Sequence, residues 1–386
     1  MNKTFCDYYN QSICRSCSEL DVPYAEQMSL KEQRLRDALS AWGELPLLPT
    51  QSSPETAFRN RAKWSVSGST SRPIIGLLGE DRLDQGREIL NCPIHHPKLN
   101  ELANALPKYI QKFNLIPYQI SERLGELKGL IAYHSPESCE LYLRFILRSQ
   151  ECVSRIRKLL RELQAEFPGL VCVSANIQPI PHALLEGDKE IFLTERKSIR
   201  HRLGDIELNL APQAFVQTNA QVSRALYETA ARFIAEIRPF RMLELFSGQG
   251  AFSFFAAASA DRILGIEINA DAVLSANETA QALGLKHLSF QSADAGQVQK
   301  LAEHFSPDLI LVNPPRRGIG QAVQIIHSIK PRYWIYSSCS YLSLVQDLET
   351  FKSTYRLKHV QIFDLFPHTQ HFEILVLLEL KTNHLG

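Results

Sequence analysis

Residues 242–250 read MLELFSGQG, an apolar run that ends in a glycine-rich turn, and residues 251–258 continue as an apolar helix. The next apolar run is ILGIEI at 263–268, and a helix is predicted from about Ala270 to Leu283, closed by Gly284. Strands that alternate with helices predict a parallel, doubly wound α/β sheet in the C-terminal half. The remaining apolar runs that we interpret as strands begin near residues 288, 308, 333, 360 and 372.

The chain before this sheet has a different pattern. Strand-like segments such as 61–68 and 140–147 occur with few long helices, of which 153–167 is one, and this indicates a separate α+β domain. A long amphipathic helix at 220–237 leads into the α/β sheet. The predicted organisation is a cysteine-rich region with a helix at 1–56, an α+β domain at 57–204 and an α/β domain at 205–386.

Length and composition narrow the function classes. A chain of 386 residues, 45% hydrophobic and 22% charged, is long enough for two or three domains. Its net charge of +1 excludes a globally basic coat, so a nucleic-acid partner would need local basic patches. The N-terminus has no apolar signal core and no run approaches a bilayer span, so we expect a cytoplasmic protein with no membrane contact. No obligate protein partner is evident, and the eight cysteines are expected as thiols, ligands or nucleophiles.

The glycine turn at 246–250 would let the backbone approach a bound cofactor closely. The third glycine of a dinucleotide fingerprint is absent, since Phe252 or Ser253 occupies that region. This favours a cofactor without phosphates, such as S-adenosylmethionine. Glu267, near the end of the second strand, suits ribose hydroxyls, and Asp294, after the third strand, could contact the adenine.

Two further predicted strands are followed by loops that contain candidate binding or catalytic residues. One is 308–318, DLILVNPPRRG, and the other is 333–340, YWIYSSCS. Because the carboxyl ends of parallel strands meet at one edge of a sheet, we expect Asn313 and Cys339 to lie near each other. Methyltransferases of amino groups place an aromatic ring after Pro-Pro, and Arg316 stands there instead, which disfavours N-methylation.

Cys339 has two interpretations. A free cysteine is most often a small buried hydrophobe. At this strand end a thiolate would also suit attack on carbon 6 of a pyrimidine, which makes carbon 5 nucleophilic toward a methyl sulfonium. The adduct must then lose its carbon-5 proton, and Glu373 is the candidate base, unless it is an ordinary strand-end carboxylate facing water. Such chemistry inside folded RNA would require the uridine to flip out.

The other cysteines fall into two groups. Cys6, Cys14, Cys17 and Cys92 form a candidate set of four thiolate ligands for zinc or an iron–sulfur cluster. A second Cys-x2-Cys pair is missing, which slightly favours the cluster, and four unrelated buried thiols are the alternative. Apolar neighbours favour the buried-hydrophobe interpretation for the remaining three: Cys139, Cys152 and Cys172.

Three basic runs are candidates for RNA contact. Residues 58–64, FRNRAKW, mix basic and aromatic side chains, as a surface that binds phosphates and stacks on bases does. We expect RNA contact there. The runs at 155–161 and 196–202 are explained equally well as solvated faces.

Together these motifs resemble the RNA uracil-5-methyltransferase family over nearly the whole chain. The segments that carry the resemblance are 215–219 (FVQTN), 246–250, 313–318, 337–339 and 367–373 (PHTQHFE). Within the family the chain is most similar to the short ribosomal-RNA enzymes, which begin with cluster cysteines and lack a preceding TRAM barrel. The tRNA enzymes of the family lack these cysteines.

The resemblance implies a Rossmann-like methyltransferase domain that uses S-adenosylmethionine, preceded by a smaller α+β RNA-binding domain and an N-terminal [4Fe–4S] region. It implies methylation of carbon 5 of a U747-type uridine in 23S rRNA, with Cys339 as nucleophile and Glu373 as base. The resemblance assigns four residues to the cofactor: Gln217, Phe246, Glu267 and Asn313. The positions of the glycine turn and the third strand add Gly248, Gly250 and Asp294.

Three alternatives stay open at this point. The first is a tRNA uracil-5-methyltransferase with the same chemistry. The second is an N-methyltransferase that uses Asn313-Pro314-Pro315, in which Cys339 would be dispensable. The third is a non-catalytic iron–sulfur RNA-binding protein, whose RNA binding would survive Cys339→Ala and which would transfer no methyl group.

Overall fold

The computed structural model describes residues 3–79, 85–181 and 186–382. Its α-helices are α1 Asp7–Asn10, α2 Tyr24–Ala38, α3 Pro97–Lys112, α4 Val153–Glu166, α5 Ala220–Ile237, α6 Ala251–Ala256, α7 Ala270–Ala282, α8 Ala295–Phe305, α9 Ala322–Ile329 and α10 Tyr341–Glu349. Its strands are β1 Arg61–Gly68, β2 Pro73–Leu78, β3 Gly86–Glu88, β4 Leu127–Ser135, β5 Glu140–Leu147, β6 Leu170–Ile177, β7 Lys189–Phe192, β8 Ile199–Leu203, β9 Ile206–Leu210, β10 Arg241–Leu245, β11 Arg262–Glu267, β12 Leu288–Ser292, β13 Leu309–Val312, β14 Tyr333–Ser338, β15 Tyr355–Phe363 and β16 Glu373–Leu380.

The chain divides into two compact units. The first comprises Met1–Cys17, Pro54–Leu203 and Asn209–Gln213, and the second comprises Ser18–Ser53, Gly204–Leu208 and Ala214–Gly386. Residues 18–53, which include α2, therefore group with the C-terminal α/β sheet, whereas the three cysteines before residue 18 group with the central strands.

The second unit is built on a sheet of seven described strands in the order β12-β11-β10-β13-β14-β16-β15. The first five are parallel, as predicted, but β16 runs antiparallel to both of its neighbours. The prediction of a wholly parallel sheet was therefore wrong at this edge. The reason is the connection: residues 364–372 join β15 directly to β16, and a link this short suits antiparallel neighbours, because parallel ones need a longer crossover.

The central strands of this sheet are apolar throughout because both of their faces are covered. Every residue of β13 and of β14 is buried. Side chains alternate between the two faces of a strand, so burial at every position requires packing on both. The predicted helix that follows β11 is confirmed as α7, and Gly284, with a φ of 69°, terminates it.

The first unit contains a second sheet of seven described strands, in the order β3-β2-β1-β4-β5-β6-β7, antiparallel except between β5 and β6. Helices α3 and α4 bury apolar faces in the same core as the sheet. Helix α4 is confirmed as predicted, whereas α3 was not predicted; it contains Pro107 in its interior, where proline usually ends a helix. Within the described residues, no helix is both long and apolar enough to cross a membrane.

Candidate active site

The turn after β10 has an unusual backbone. Phe246, Gly248 and Gly250 have φ values of 60°, 54° and 81°, in the left-handed region that favours glycine. A Cβ atom at position 250 would lie 2.3 Å from Cζ of Phe290, so only glycine fits there. A Cβ atom at position 248 would meet no described atom within 4 Å. The turn therefore leaves open space beside Gly248.

Glu267, at the end of β11, orders this turn. Its Oε2 accepts a hydrogen bond from the backbone N–H of Gly248 at 2.9 Å. Its Oε1 accepts from the backbone N–H groups of Ile268 and Asn269 at 2.9 and 3.0 Å. Nearby, the buried Oγ of Ser247 has no hydrogen-bond partner among the described residues. A fixed carboxylate and an unused hydroxyl beside open space are suited to a polar ligand.

The remaining predicted cofactor residues lie in loops of the same unit. The backbone N–H of Asn313 lies 3.5 Å from the carbonyl oxygen of Leu245, so the loops after β13 and β10 are neighbours. Gln217 is buried in the segment before α5. Asp294 follows β12, and its Oδ1 accepts from the N–H of Gln297 at 3.0 Å, at the start of α8.

Cys339 directly follows β14 and is half-buried. Its pKa is raised, first by burial and then by the negative charge of Glu373. The positively charged guanidinium of Arg316 opposes this rise in pKa. Because the thiolate is the nucleophilic form of cysteine, Arg316 is the neighbour that favours a reactive sulfur.

Glu373 opens β16 and is only 1% exposed. Its Oε1 accepts a hydrogen bond from Oγ of Ser337 at 2.6 Å, while Oε2 has no partner among the described residues. Burial raises the pKa of Glu373 to about 7, against the opposing effect of the Ser337 hydrogen bond. The interpretation of this residue as a carboxylate facing water is therefore wrong. A carboxyl group with a pKa near neutrality can accept a proton in catalysis.

The pairing of β14 with β16 explains why these groups meet. Ser337 pairs with Leu375, and Ser338 pairs with Ile374, in antiparallel register. Side chains alternate along a strand, so Ser337 and Glu373 share one face of the sheet. Continuing the register by one pair sets Cys339 opposite Glu373. The structure thus brings together the predicted nucleophile and the predicted base, which lie far apart in sequence.

Sequence reasoning missed a second buried carboxyl group, Glu244, in the middle of β10. Burial raises its pKa to about 8. Its Oε2 accepts hydrogen bonds from the backbone N–H of Ser253, at 3.0 Å, and from the Ser253 hydroxyl. The signal in the sequence was an acidic residue inside an otherwise apolar strand. The role of Arg316 was missed too, because it had been noted only as a departure from an aromatic ring.

The four predicted ligand cysteines all belong to the first unit. Cys6 is buried, and Cys14, Cys17 and Cys92 are half-buried. The pKa of Cys17 is raised to about 12, first by burial and then by Cys92, Cys14 and Cys6 in that order. The other three thiols are therefore close enough to Cys17 for their charges to act on it.

Two predictions for the first unit were wrong. Phe58 and Trp64 are buried, so these rings are not available to stack on bases, although basic residues accompany them in sequence. Cys139 is exposed, whereas Cys152 and Cys172 are buried as predicted. Trp64 belongs to the hydrophobic core of the unit, where an aromatic side chain on a strand contributes most to stability.

The sheet order, the glycine turn and the acid at the next strand end are those of a Rossmann-like α/β fold of the methyltransferase class. A crystal structure of this class supports the fold: Pyrococcus abyssi tRNA (uracil-54, C5)-methyltransferase in complex with S-adenosyl-L-homocysteine superposes with a TM-score of 0.77. The aligned region covers 94% of this chain and 85% of that one. Because the two sequences are only 20% identical, the comparison supports the fold and nothing further.

The chain belongs to the uracil-5-methyltransferase family. Residues 188–381 match the family described as tRNA (Uracil-5-)-methyltransferase. A protein of Pectobacterium atrosepticum named 23S rRNA (uracil(747)-C(5))-methyltransferase RlmC is 41% identical over 375 residues, 97% of this chain and 99% of that protein. A protein of the same name from Haemophilus influenzae is 38% identical over 392 residues, 97% of this chain and 98% of that one.

Proposed function

We propose that this protein methylates carbon 5 of uridine 747 in 23S rRNA, with S-adenosylmethionine as the methyl donor. Relatives named for this reaction match almost the whole chain. The observation in the structure that carries the proposal is the placement of Cys339, Arg316 and Glu373 around one strand end. Because ribosomal RNA is the substrate, the proposal includes a cytoplasmic location.

The reaction that these residues suit has two halves. In the first, the thiolate of Cys339 forms a bond to carbon 6 of the uracil, which places electron density on carbon 5. Bound S-adenosylmethionine would supply the electrophilic methyl group that carbon 5 takes up, with cleavage of its sulfur–methyl bond and release of S-adenosylhomocysteine. In the second half, Glu373 accepts the proton from carbon 5, the carbon 5–carbon 6 double bond forms again, and the thiolate of Cys339 leaves.

The residues proposed to hold S-adenosylmethionine surround the turn after β10. The open space beside Gly248, the unused hydroxyl of Ser247 and the fixed carboxylate of Glu267 support this location. Glu267 would bind ribose hydroxyl groups, which are donors that a carboxylate accepts. The other residues proposed to contact the cofactor are Gln217, Phe246, Gly250, Asp294 and Asn313.

We further propose that Cys6, Cys14, Cys17 and Cys92 hold a [4Fe–4S] cluster. The charges of Cys92, Cys14 and Cys6 all act on the Cys17 thiol, which supports one shared site for the four cysteines. Four cysteine thiolates can ligate a [4Fe–4S] cluster, and the sequence lacks the second Cys-x2-Cys pair that is usual in zinc ribbons. Since methyl transfer needs no electron, the cluster would have a structural or RNA-positioning role in an RNA-binding first unit.

Covalent trapping tests the main proposal. Wild-type protein would be incubated with S-adenosylmethionine and a 23S rRNA fragment containing 5-fluorouridine at the target position, and analysed on a denaturing gel. Fluorine on carbon 5 cannot be removed as a proton, so we expect a stable RNA–protein adduct with wild type and none with Cys339→Ala. Active wild type that yields no adduct, or methylation by Cys339→Ala, would rule out the covalent route.

Nucleotide mapping separates the two RNA substrates. Ribosomal RNA and tRNA from a strain lacking the gene would be treated with the purified protein, and the methylated position would be located. We expect a single new methyl group at uridine 747 of 23S rRNA. Methylation of tRNA alone would establish the tRNA alternative.

A further inference from the structure

Helix α2 binds the segment that leads into Glu373. The first contact is an ion pair between Nζ of Lys31 and Oδ1 of Asp364, at 2.7 Å, in which neither side chain is exposed. The Lys31 ammonium also lies 3.3 Å from the carbonyl oxygen of Phe366. The hydroxyl of Tyr24 donates to the other oxygen of Asp364 at 2.8 Å. A buried ion pair with both carboxylate oxygens bonded has a single favourable geometry, because any displacement leaves a buried charge unpaired.

The second contact joins Gln27 to His368. Gln27 is buried, and its Oε1 accepts the backbone N–H of His368 at 2.8 Å. Its Nε2 lies 3.3 Å from Nδ1 of the same histidine. The carbonyl oxygen of the same residue accepts a hydrogen bond from the backbone N–H of Glu19 at 2.9 Å. His368 has a φ of 63°, a costly conformation for a residue with a side chain, so these contacts stabilise a backbone that would otherwise relax.

These contacts matter because Glu373 has few of its own. Ser337 bonds one carboxylate oxygen, and the other has no partner among the described residues. The direction of the carboxylate therefore depends on the backbone at the start of β16, which pairs with β14 and β15 and follows segment 364–372 directly. Asp364 and His368, which precede β16 in the chain, are both held by the contacts described above.

We propose that Gln27 and Lys31 are positioning residues: by fixing segment 364–372, they direct the Glu373 carboxylate toward carbon 5 of the uracil. The inference rests on the proposed role of Glu373 as the base. It gives Gln27 and Lys31 a role in proton removal from carbon 5, the second half of the reaction. It gives them no role in adduct formation and methyl transfer, the first half.

The two halves can be measured separately. Adduct formation on 5-fluorouridine RNA requires Cys339 and methyl transfer but no removal of a carbon-5 proton. Turnover on unmodified RNA requires both halves. A positioning defect in the base should lower turnover, cause a methylated RNA–protein adduct to accumulate, and leave adduct formation on the fluorinated RNA unchanged. General destabilisation would lower both rates together.

Gln27→Ala and Gln33→Ala provide a matched pair on the same helix. Gln33 is exposed and donates to Asp37 rather than to the segment before Glu373. For Gln27→Ala we expect turnover to fall by about tenfold to a hundredfold, since small misplacements of a catalytic group have effects of this order. Its rate of adduct formation on fluorinated RNA should stay within about twofold of wild type. Gln33→Ala should match wild type in both assays.

The proposal is overturned if Gln27→Ala lowers both rates equally, or if it leaves turnover unchanged. If Gln27→Ala lacks a cooperative melting transition, Tyr24→Phe is measured in the same two assays. This variant keeps the ring and removes the hydroxyl, which donates to Asp364 and accepts the backbone N–H of Ser53. A fall in its turnover with unchanged adduct formation supports the proposal, and equal rates for Tyr24→Phe and wild type contradict it. Failure of the proposed function is distinct, since wild type itself would then form no adduct.

Discussion

Burial raises the pKa of both Cys17 and Cys339, but the charged groups around the two thiols differ. Around Cys17 the next contributions come from three other cysteines, with the charge of Arg59 opposing them, and around Cys339 they come from Glu373, with the charge of Arg316 opposing it. Several thiols together suit a set of metal ligands, as proposed for Cys17, whereas one thiol beside a carboxyl group suits a nucleophile with a base, as proposed for Cys339. Neighbouring groups, rather than burial, separate the two proposed roles.

Removal of the nucleophile should have the largest effect. Cys339→Ala should lower methyl transfer from labelled S-adenosylmethionine by roughly 10⁴-fold or more, as loss of a covalent nucleophile does in other enzymes. Its iron content should equal that of wild type, because the ligand cysteines belong to the other unit. Substantial methylation by Cys339→Ala would show that Cys339 is not the nucleophile, and the proposed difference in role between Cys339 and Cys17 would be lost.

Loss of the base should have the next largest effect. Glu373→Gln should lower turnover by about 10²- to 10⁴-fold, the usual contribution of a general base, and should accumulate methylated adduct on unmodified RNA. Ionised Glu373 accepts the proton, and its pKa is raised to about 7, so release of the adduct should slow as the pH falls below about 7. Single-turnover decay of the adduct across this range measures the effect, and a flat profile for wild type would exclude Glu373.

The sequence predicted the central strands and the two loops because apolar runs and Asn-Pro-Pro or cysteine at their ends are local signals. It did not predict the burial of Glu373 or the direction of β16, since both follow from a pairing between segments distant in sequence. The ion pair of Lys31 with Asp364 spans nearly the whole chain and leaves no local pattern either. The burial of Trp64 could not be predicted, because an aromatic residue beside basic ones gives the same local sequence in a core strand as on a binding surface.

Substitution of a proposed ligand cysteine should affect iron binding and the stability of the protein. Cys17→Ser should lower the iron bound per chain after anaerobic purification and lower the melting temperature by several degrees, because binding of a metal group stabilises the folded state. Cys139→Ser, at an exposed thiol outside the proposed set, is the matched control and should change neither quantity. Zinc in place of iron in the wild-type protein would contradict the cluster.

The smallest effect should come from Arg316. In Arg316→Gln the pKa of Cys339 should rise further, because the cation that opposes the rise is lost. Each unit of increase lowers the thiolate fraction about tenfold when the pH is below the pKa, so adduct formation near neutral pH should slow by about that factor and recover as the pH increases. Arg317→Gln, at the adjacent exposed arginine, should behave as wild type. An equal loss at every pH would indicate that Arg316 acts by binding RNA.

Because β16 pairs with β14, a shift of its register by one residue has a different effect from a shift by two. A slip of one residue against β14 would turn Glu373 to the opposite face of the sheet, away from Ser337. A slip of two residues would restore the face but displace the carboxylate by about 6.8 Å along the strand. The length of segment 364–372 is therefore constrained by this register, and length variation in related chains should be confined to other loops.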